Sequence, residues 1–253
     1  MKIPISNRLL CCASLIPAGA RVADIGCDHG YLGIWLLTEG KAAYVAASDL
    51  REKPLEKAKE NSRLFGTADR MKFSVADGLT DVDPDKVDTI VCAGMGGDNI
   101  AGILEAAPWV RDPKYTLILQ PQTSGNDLRR YLGEQGFAIE REELVRDGGF
   151  LYFTLVARFG GGRPLTPGEQ YLSPQLLACG SELLPDYFDR VLNALEKTVS
   201  GIERSQNEAK REKLAYYARA LEEVREMRNT YDRTANSCLC KLFGAQAHEV
   251  RLG

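Results

Sequence analysis

The sequence predicts an α/β fold: a mainly parallel sheet covered by helices, then an α-helical, coiled-coil-like segment. Three observations predict it. Short apolar runs alternate with helix-patterned stretches up to residue 159, as in a parallel sheet with helices on both faces. A glycine- and proline-rich break, GGGRPLTPGE, occupies residues 160–169 and marks a flexible boundary. Beyond it, apolar residues recur at three- and four-residue spacing, the helical period.

The elements follow in order. ISNRLLCCASLI, residues 5–16, reads as a short helix with Ser6 or Asn7 as its cap. Pro17 and Gly19 end it. ARVADIG is a buried strand that runs into a loop, and YLGIWLLTEG is a helix stopped near Gly40. AAYVAASDL, MKFSVADG, VDTIVCAGMGG and YTLILQPQ are the next four strands. Between them lie the helices KPLEKAKENSRLFG and NIAGILEAA. After a further helix, NDLRRYLGEQG, the stretches FAIEREELVRDGG and FLYFTLVARF are separated by a turn alone. They are expected to pair as an antiparallel hairpin at the end of the sheet.

The C-terminal pattern predicts two antiparallel helices, with a seam of Leu192, Leu195, Val199 and Ile202 facing Leu214, Tyr217, Leu221 and Val224. A single long helix is the alternative, because the polar stretch ERSQNEAKRE between them contains no glycine or proline. The nine acids and nine bases from Asp186 to Arg228 are intermixed, as on a solvated face. The expected domains are residues 1–162 and 163–253.

Bulk composition sets outer limits. A formal charge of −3 from 32 basic and 35 acidic side chains does not announce a nucleic-acid partner, although local patches remain open. Seven cysteines without a C-x-x-C pair point to a reducing, cytoplasmic setting. Two histidines, His29 and His248, are too few for a histidine-rich metal site, and no metal is expected. No signal peptide and no apolar run of membrane-spanning length is seen.

The chemistry is concentrated in the loops. In DIGCDHGYL, residues 24–32, Asp24, Gly26 and Gly30 sit between a strand and a helix, the context that gives a glycine pattern its weight. A dinucleotide would place its pyrophosphate on that helix start. Asp28 would then stand beside a double negative charge. S-adenosylmethionine has no phosphate and carries a positive sulfonium, so it tolerates that acid. The loop favours a methyl donor over a nicotinamide cofactor. Asp49, at the end of strand two, is placed to accept from ribose hydroxyls, and Asp77-Gly78, at the end of strand three, from an adenine amine. Cys27 and Leu50, beside these acids, complete the first part of the expected donor site.

The loop AGMGG, residues 93–97, allows close backbone approach. Gly94, Met95 and Gly96 are expected near the donor, and Gly97 near the acceptor. Met95 packs on a ligand or in the core; the sequence leaves both open. Gln120 and Gln122 in QPQ are candidates for a base edge, or for holding loop carbonyls.

Taken together, DIGCDHGYLG, AGMGG, LILQPQ and the helical extension resemble the bacterial TrmK family, the tRNA (adenine-22 N1) methyltransferases. The resemblance runs from ISNRLL to about Met227. It implies a class I Rossmann-like methyltransferase sheet with a C-terminal coiled-coil domain that contributes to tRNA binding. It also implies S-adenosylmethionine as cofactor and N1 of adenine 22 in the tRNA D-arm as acceptor. The important acid of the family's first loop falls on Asp28; its Gly-Met-Gly-Gly segment on Gly94 to Gly97; its Gln-Pro on Gln120 and Pro121; its Ser-x-Arg-Leu on Ser6 to Leu9. Two departures concern the tRNA contacts: Ser173-Pro174 stands where the family often has Gly-Pro, and Phe150 where a polar residue is common.

Adenine N1 carries a lone pair and no proton, so its attack needs alignment rather than a general base. Asp28 is the expected counter-charge to the cationic product, with Gln120 and Met95 as the other catalytic candidates. Arg8, His29, Tyr31, Gly97, Pro121 and Gln122 are the expected substrate contacts. Position 22 lies inside folded RNA, so the base is expected to leave its stack. A methyltransferase for another site and a non-catalytic RNA-binding or scaffold protein are the rival readings. The oligomeric state is left open, with a monomer compatible.

Overall fold

The computed structural model describes residues 2–205 and 207–249, with backbone only at 209, 210 and 235–249. Its first elements are α1 (Asn7–Leu15), β1 (Ala20–Ile25), α2 (Tyr31–Thr38), β2 (Ala42–Asp49), α3 (Glu52–Leu64) and β3 (Met71–Val75). Next come β4 (Thr89–Gly96), α4 (Gly97–Glu105), β5 (Thr116–Thr123), α5 (Gly125–Glu134), β6 (Phe137–Asp147) and β7 (Phe150–Phe159). The chain ends with α6 (Pro174–Leu177), α7 (Leu184–Glu203), α8 (Glu208–Arg211) and α9 (Leu214–Glu249).

The strands form a sheet in the order β3-β2-β1-β4-β5-β7-β6. The first five run parallel, and β7 is antiparallel to both β5 and β6. The expected Rossmann-like arrangement with an antiparallel end is therefore present. The chain moves outward through β2 and β3, then returns to the other side of β1 as β4. Ligands of open sheets bind where the order reverses, beyond the carboxyl ends.

The central strands are apolar because both faces are covered. Val22, Val45, Ile90, Val91, Leu117 and Ile118 have no exposed surface. On one face, α2 lies close to the sheet at Gly33, where a Cβ would come within 2.9 Å of Val45 Cγ1. Ser6 caps α1 by accepting from the Leu9 amide, as its residue type suggested.

Two compact units are present. The first holds residues 1–165 and Ser173–Leu184; the second holds Thr166–Leu172 and residues 185–253. Composition placed a boundary at residue 162, but the chain returns to the first unit at Ser173. The anchor is chemical. Glu142 takes Arg129 in a two-pronged ion pair, with Nη2 to Oε2 at 2.7 Å, and also accepts from Ser173 Oγ at 2.7 Å. The Arg129 guanidinium lies 3.7 Å from the centre of the Phe153 ring. Ser173 at the same time caps α6.

In the second unit, α7 and α9 are separate helices, with a break around the four-residue α8, so the single-helix alternative does not hold. Cross-pairs Glu196–Arg225 (2.7 Å) and Asp189–Arg228 (2.8 Å) give the antiparallel sense. The seam differs in part from the expected one. On α7, Tyr187, Phe188, Val191, Leu195 and Ile202 are buried, so the stripe begins a turn earlier and uses Val191 rather than Leu192. On α9, Ala220, Leu221 and Val224 are buried.

Candidate methyl-transfer site

Asp28 adopts a left-handed conformation with φ of 49°, which is uncommon outside glycine but tolerated by Asp and Asn. Its amide donates to Asp49 Oδ2 at 3.1 Å. Asp49 is buried, and its Oδ1 accepts from the Arg51 amide at 2.9 Å. The acid at the end of β2 thus fixes the loop after β1. The Asp28 side chain is outside, 56% exposed, with Oδ2 at 3.1 Å from His29 Nδ1 and Oδ1 at 3.8 Å from Arg51 Nη2. Gly30 holds the cap position of α2, without a side-chain cap bond.

Two cavities flank this loop. One, about 680 Å³, is lined by Arg8, Asp24, Gly26, Cys27, Asp28, Gly94 and Gln122 among others. The second, about 860 Å³, is lined by Asp77, Gly78, Leu79, Asp98, Ile103 and Trp109 among others. They share Gly26, Asp49, Leu50, Met95 and Asn99. Met95 stands at the junction: a Cβ at Gly26 would collide with its Cε. Gly26 has φ of 67°, so both the turn and the contact call for glycine. Leu50 is 67% exposed at this junction, an apolar surface left for a ligand to cover.

Asp24 lies beneath the first cavity. It is buried, its Oδ2 has no hydrogen-bond partner, and it lines the cavity wall. Burial pushes its pKa up to about 7, the Gly33 amide opposes that shift and Asp49 adds to it. An acid in such a place is suited to a cationic group above it. The Cys27 thiol is pushed up by burial and then by Asp24, Asp49 and Asp28. It therefore remains a neutral wall atom rather than a nucleophile.

Several residues expected to face ligands do other work. Gln120 is fully buried. Its Oε1 accepts from Arg8 Nη1 at 2.6 Å and from the Gly94 amide at 3.1 Å, and its Nε2 donates to the Pro121 carbonyl. It orders the loop and Arg8 instead of reading a base, because the register of β4 slips between Ala93 and Met95 and turns the Gly94 amide toward it. Gly97 is buried in the first turn of α4, where a Cβ would strike the Ser124 carbonyl. Gly96 precedes that helix and Gly30 packs against Ala58. Tyr31 rests on the apolar core. Pro121 is buried opposite Met95. None of these six lines either cavity, nor does His29, whose ring instead meets Asp28.

The sequence reading missed Arg51, Asn99, Ile103 and Trp109. Arg51 and Asn99 follow motif residues, and their adjacency was the only signal. Ile103 and Trp109 come from α4 and the 3₁₀ turn Pro108–Arg111, which no loop motif marks. Among the described residues, no group of three His, Cys, Asp or Glu side chains converges to hold a metal ion, and no helix is long and apolar enough to cross a membrane.

A twisted sheet with its order reversing between β1 and β4, acids at three strand ends and a glycine turn define a class I methyltransferase. The methyltransferase domain family model matches residues 5–155. The chain belongs to that family and, within it, to the tRNA (adenine(22)-N(1))-methyltransferases. It is 35% identical to the Bacillus subtilis tRNA (adenine(22)-N(1))-methyltransferase over 159 residues, 63% of this chain and 67% of that one. The crystal structure of the B. subtilis M1A22 tRNA methyltransferase TrmK superposes with a TM-score of 0.79 at 29% identity, covering 89% of this chain and 99% of that one. A Streptococcus pneumoniae relative solved with S-adenosyl-L-methionine gives a TM-score of 0.72 at 30% identity, covering 86% and 99%.

Proposed function

We propose that this chain transfers the methyl group of S-adenosylmethionine to N1 of adenine 22 in tRNA. The observation that carries the reading is the meeting of two cavities at Gly26 and Met95, with Asp49 and Leu50 on both walls. The donor lies across the junction, its cationic end toward Asp24 in the first cavity and its adenine toward Asp77 in the second. The acceptor base enters the first cavity beside Asp28 and Arg8, so that the reacting atoms meet near Gly26 and Met95. S-adenosylmethionine supplies the electrophilic methyl group. The residues fit it: Asp24 offers an unpartnered buried oxygen toward a cation, Asp49 and Asp77 stand at strand ends for the ribose and adenine, and the apolar Leu50 is open to a ring.

Asp28 is assigned to the acceptor. Methylation leaves N1 without its lone pair and the ring positively charged. A carboxylate held at the mouth of the cavity counters that charge and accepts from the exocyclic amine. His29 orients Asp28 and takes no proton from the substrate, because N1 has none to give. Arg8, pinned by Gln120, is assigned to a phosphate near the base, and the helical unit to additional tRNA contact.

The test is to incubate the protein with the methyl donor and unmodified tRNA transcripts, including variants changed at adenine 22, and to map methylated nucleosides by mass. Product at position 22 that disappears with the base change is expected. Methylation at another position would replace this reading.

A further inference from the structure

The β6–β7 hairpin reaches beyond the helix that covers it. Cys12 Sγ of α1 meets Thr154 Oγ1 of β7 at 3.7 Å. One turn earlier, the Arg8 guanidinium stands 6.0 Å from the Tyr152 ring centre. Four residues back along a helix is about 6 Å, and two residues along a strand is about 7 Å, so helix and strand keep step. The next strand position on this face is Phe150. Helix α1 has ended by then: it begins at Asn7, whose Nδ2 donates to the Arg146 carbonyl at the hairpin. Phe150 is consequently 68% exposed, with its ring 6.4 Å from that of Tyr152.

This tip lies on the functional side. β7 starts where the antiparallel β5 ends, so Phe150 is at the carboxyl edge of the parallel strands. A path of contacts runs from the first cavity, through Arg8 on its wall, to Tyr152 and out to Phe150. Two aromatic rings stepped along one strand face, with Arg8 against the inner one, match the flat bases and a phosphate of RNA. Asp147 pairs across from Phe150 on this face, and Arg146 pairs with Leu151 on the other. Apolar side chains inserted between bases also unstack them.

We propose that Phe150 is a stacking wedge for tRNA, which takes the place or the neighbour of adenine 22 while that base occupies the cavity. Tyr152 backs the ring, and Arg8 holds the adjoining phosphate. The assignment rests on the tRNA-methylation reading, and it adds the surface on which the base is released from its stack.

The experiment compares the wild type with Phe150→Ala and Phe150→Trp. One readout is methylation of folded tRNA; the other is the fluorescence of a tRNA carrying 2-aminopurine at position 22, which brightens on unstacking. With alanine, kcat/KM for tRNA is expected to fall about tenfold, the brightening to be lost, and S-adenosylmethionine affinity to stay unchanged. Tryptophan is expected to restore both. An alanine variant that matches the wild type in methylation and in fluorescence overturns the wedge and leaves the tip as a protein contact. The fluorescence needs no methyl transfer, so it judges the wedge even if the wild type methylates no tRNA.

Discussion

The Asp28 amide donates to the Asp49 carboxylate at 3.1 Å, so the residue assigned to the acceptor is positioned by the residue assigned to the donor ribose. The left-handed backbone of Asp28 makes the choice of variant informative. Asparagine tolerates that conformation and alanine does not. Asp28→Asn is expected to slow single-turnover transfer by about 10- to 100-fold, with the melting temperature and donor affinity unchanged. Asp28→Ala is expected to lower the melting temperature as well, by strain of about 1 kcal/mol. Equal single-turnover rates for wild type and Asp28→Asn would remove the carboxylate from the chemistry.

Asp24 makes stability depend on pH. Its folded pKa is raised to about 7 from an ordinary value of 3.8, so the folded state holds a proton that the unfolded chain releases. The associated stability is fully present below about pH 4 and is lost as pH rises through 7. Asp24→Asn has no such proton. Its melting temperature relative to wild type is expected to rise from pH 4 to about pH 7 and then to level off, as read by thermal scans without cofactor. A constant difference across that range would contradict the assignment.

Replacing Gln120 by Leu leaves Arg8 Nη1 and the Gly94 amide without their acceptor. A loss of about 1–3 kcal/mol follows from such unmade bonds. In addition, the KM for tRNA is expected to rise, because Arg8 is released, while the donor dissociation constant holds. Calorimetry and steady-state kinetics separate the two effects.

Arg129 and Glu142 are 1% and 0% exposed. Arg129→Met alone strands a buried carboxylate and is expected to destabilise by about 3–5 kcal/mol. The double change with Glu142→Leu is expected to recover much of this, as a denaturant titration of the three variants can show.

Strand ends were legible because the acids Asp49 and Asp77 terminate apolar runs, and sequence spacing alone orders those runs. The antiparallel β6–β7 pair was legible from a turn too short for a helix. The inward turn of Gln120 was not. It depends on a register slip in β4, a property of two strands together that neither sequence segment carries. Gly97 and Tyr31 line neither cavity for a related reason: they sit beside ligand-lining residues in the chain but pack against other elements. Trp109 enters the second cavity from a short turn after α4, at a distance from every motif. The stripe on α7 was shifted because Tyr187 and Phe188 lie in the polar-looking segment before the expected repeat.

The Met95 thioether over Gly26 sets the clearance at the point where the two chambers join. With the transferred group placed at that junction as proposed, a synthetic donor bearing an allyl or propargyl substituent in place of methyl is expected to press on this sulfur-bearing chain. Trimming position 95, and leaving position 26 alone, is thus the route by which the enzyme would be retooled to label RNA with larger groups.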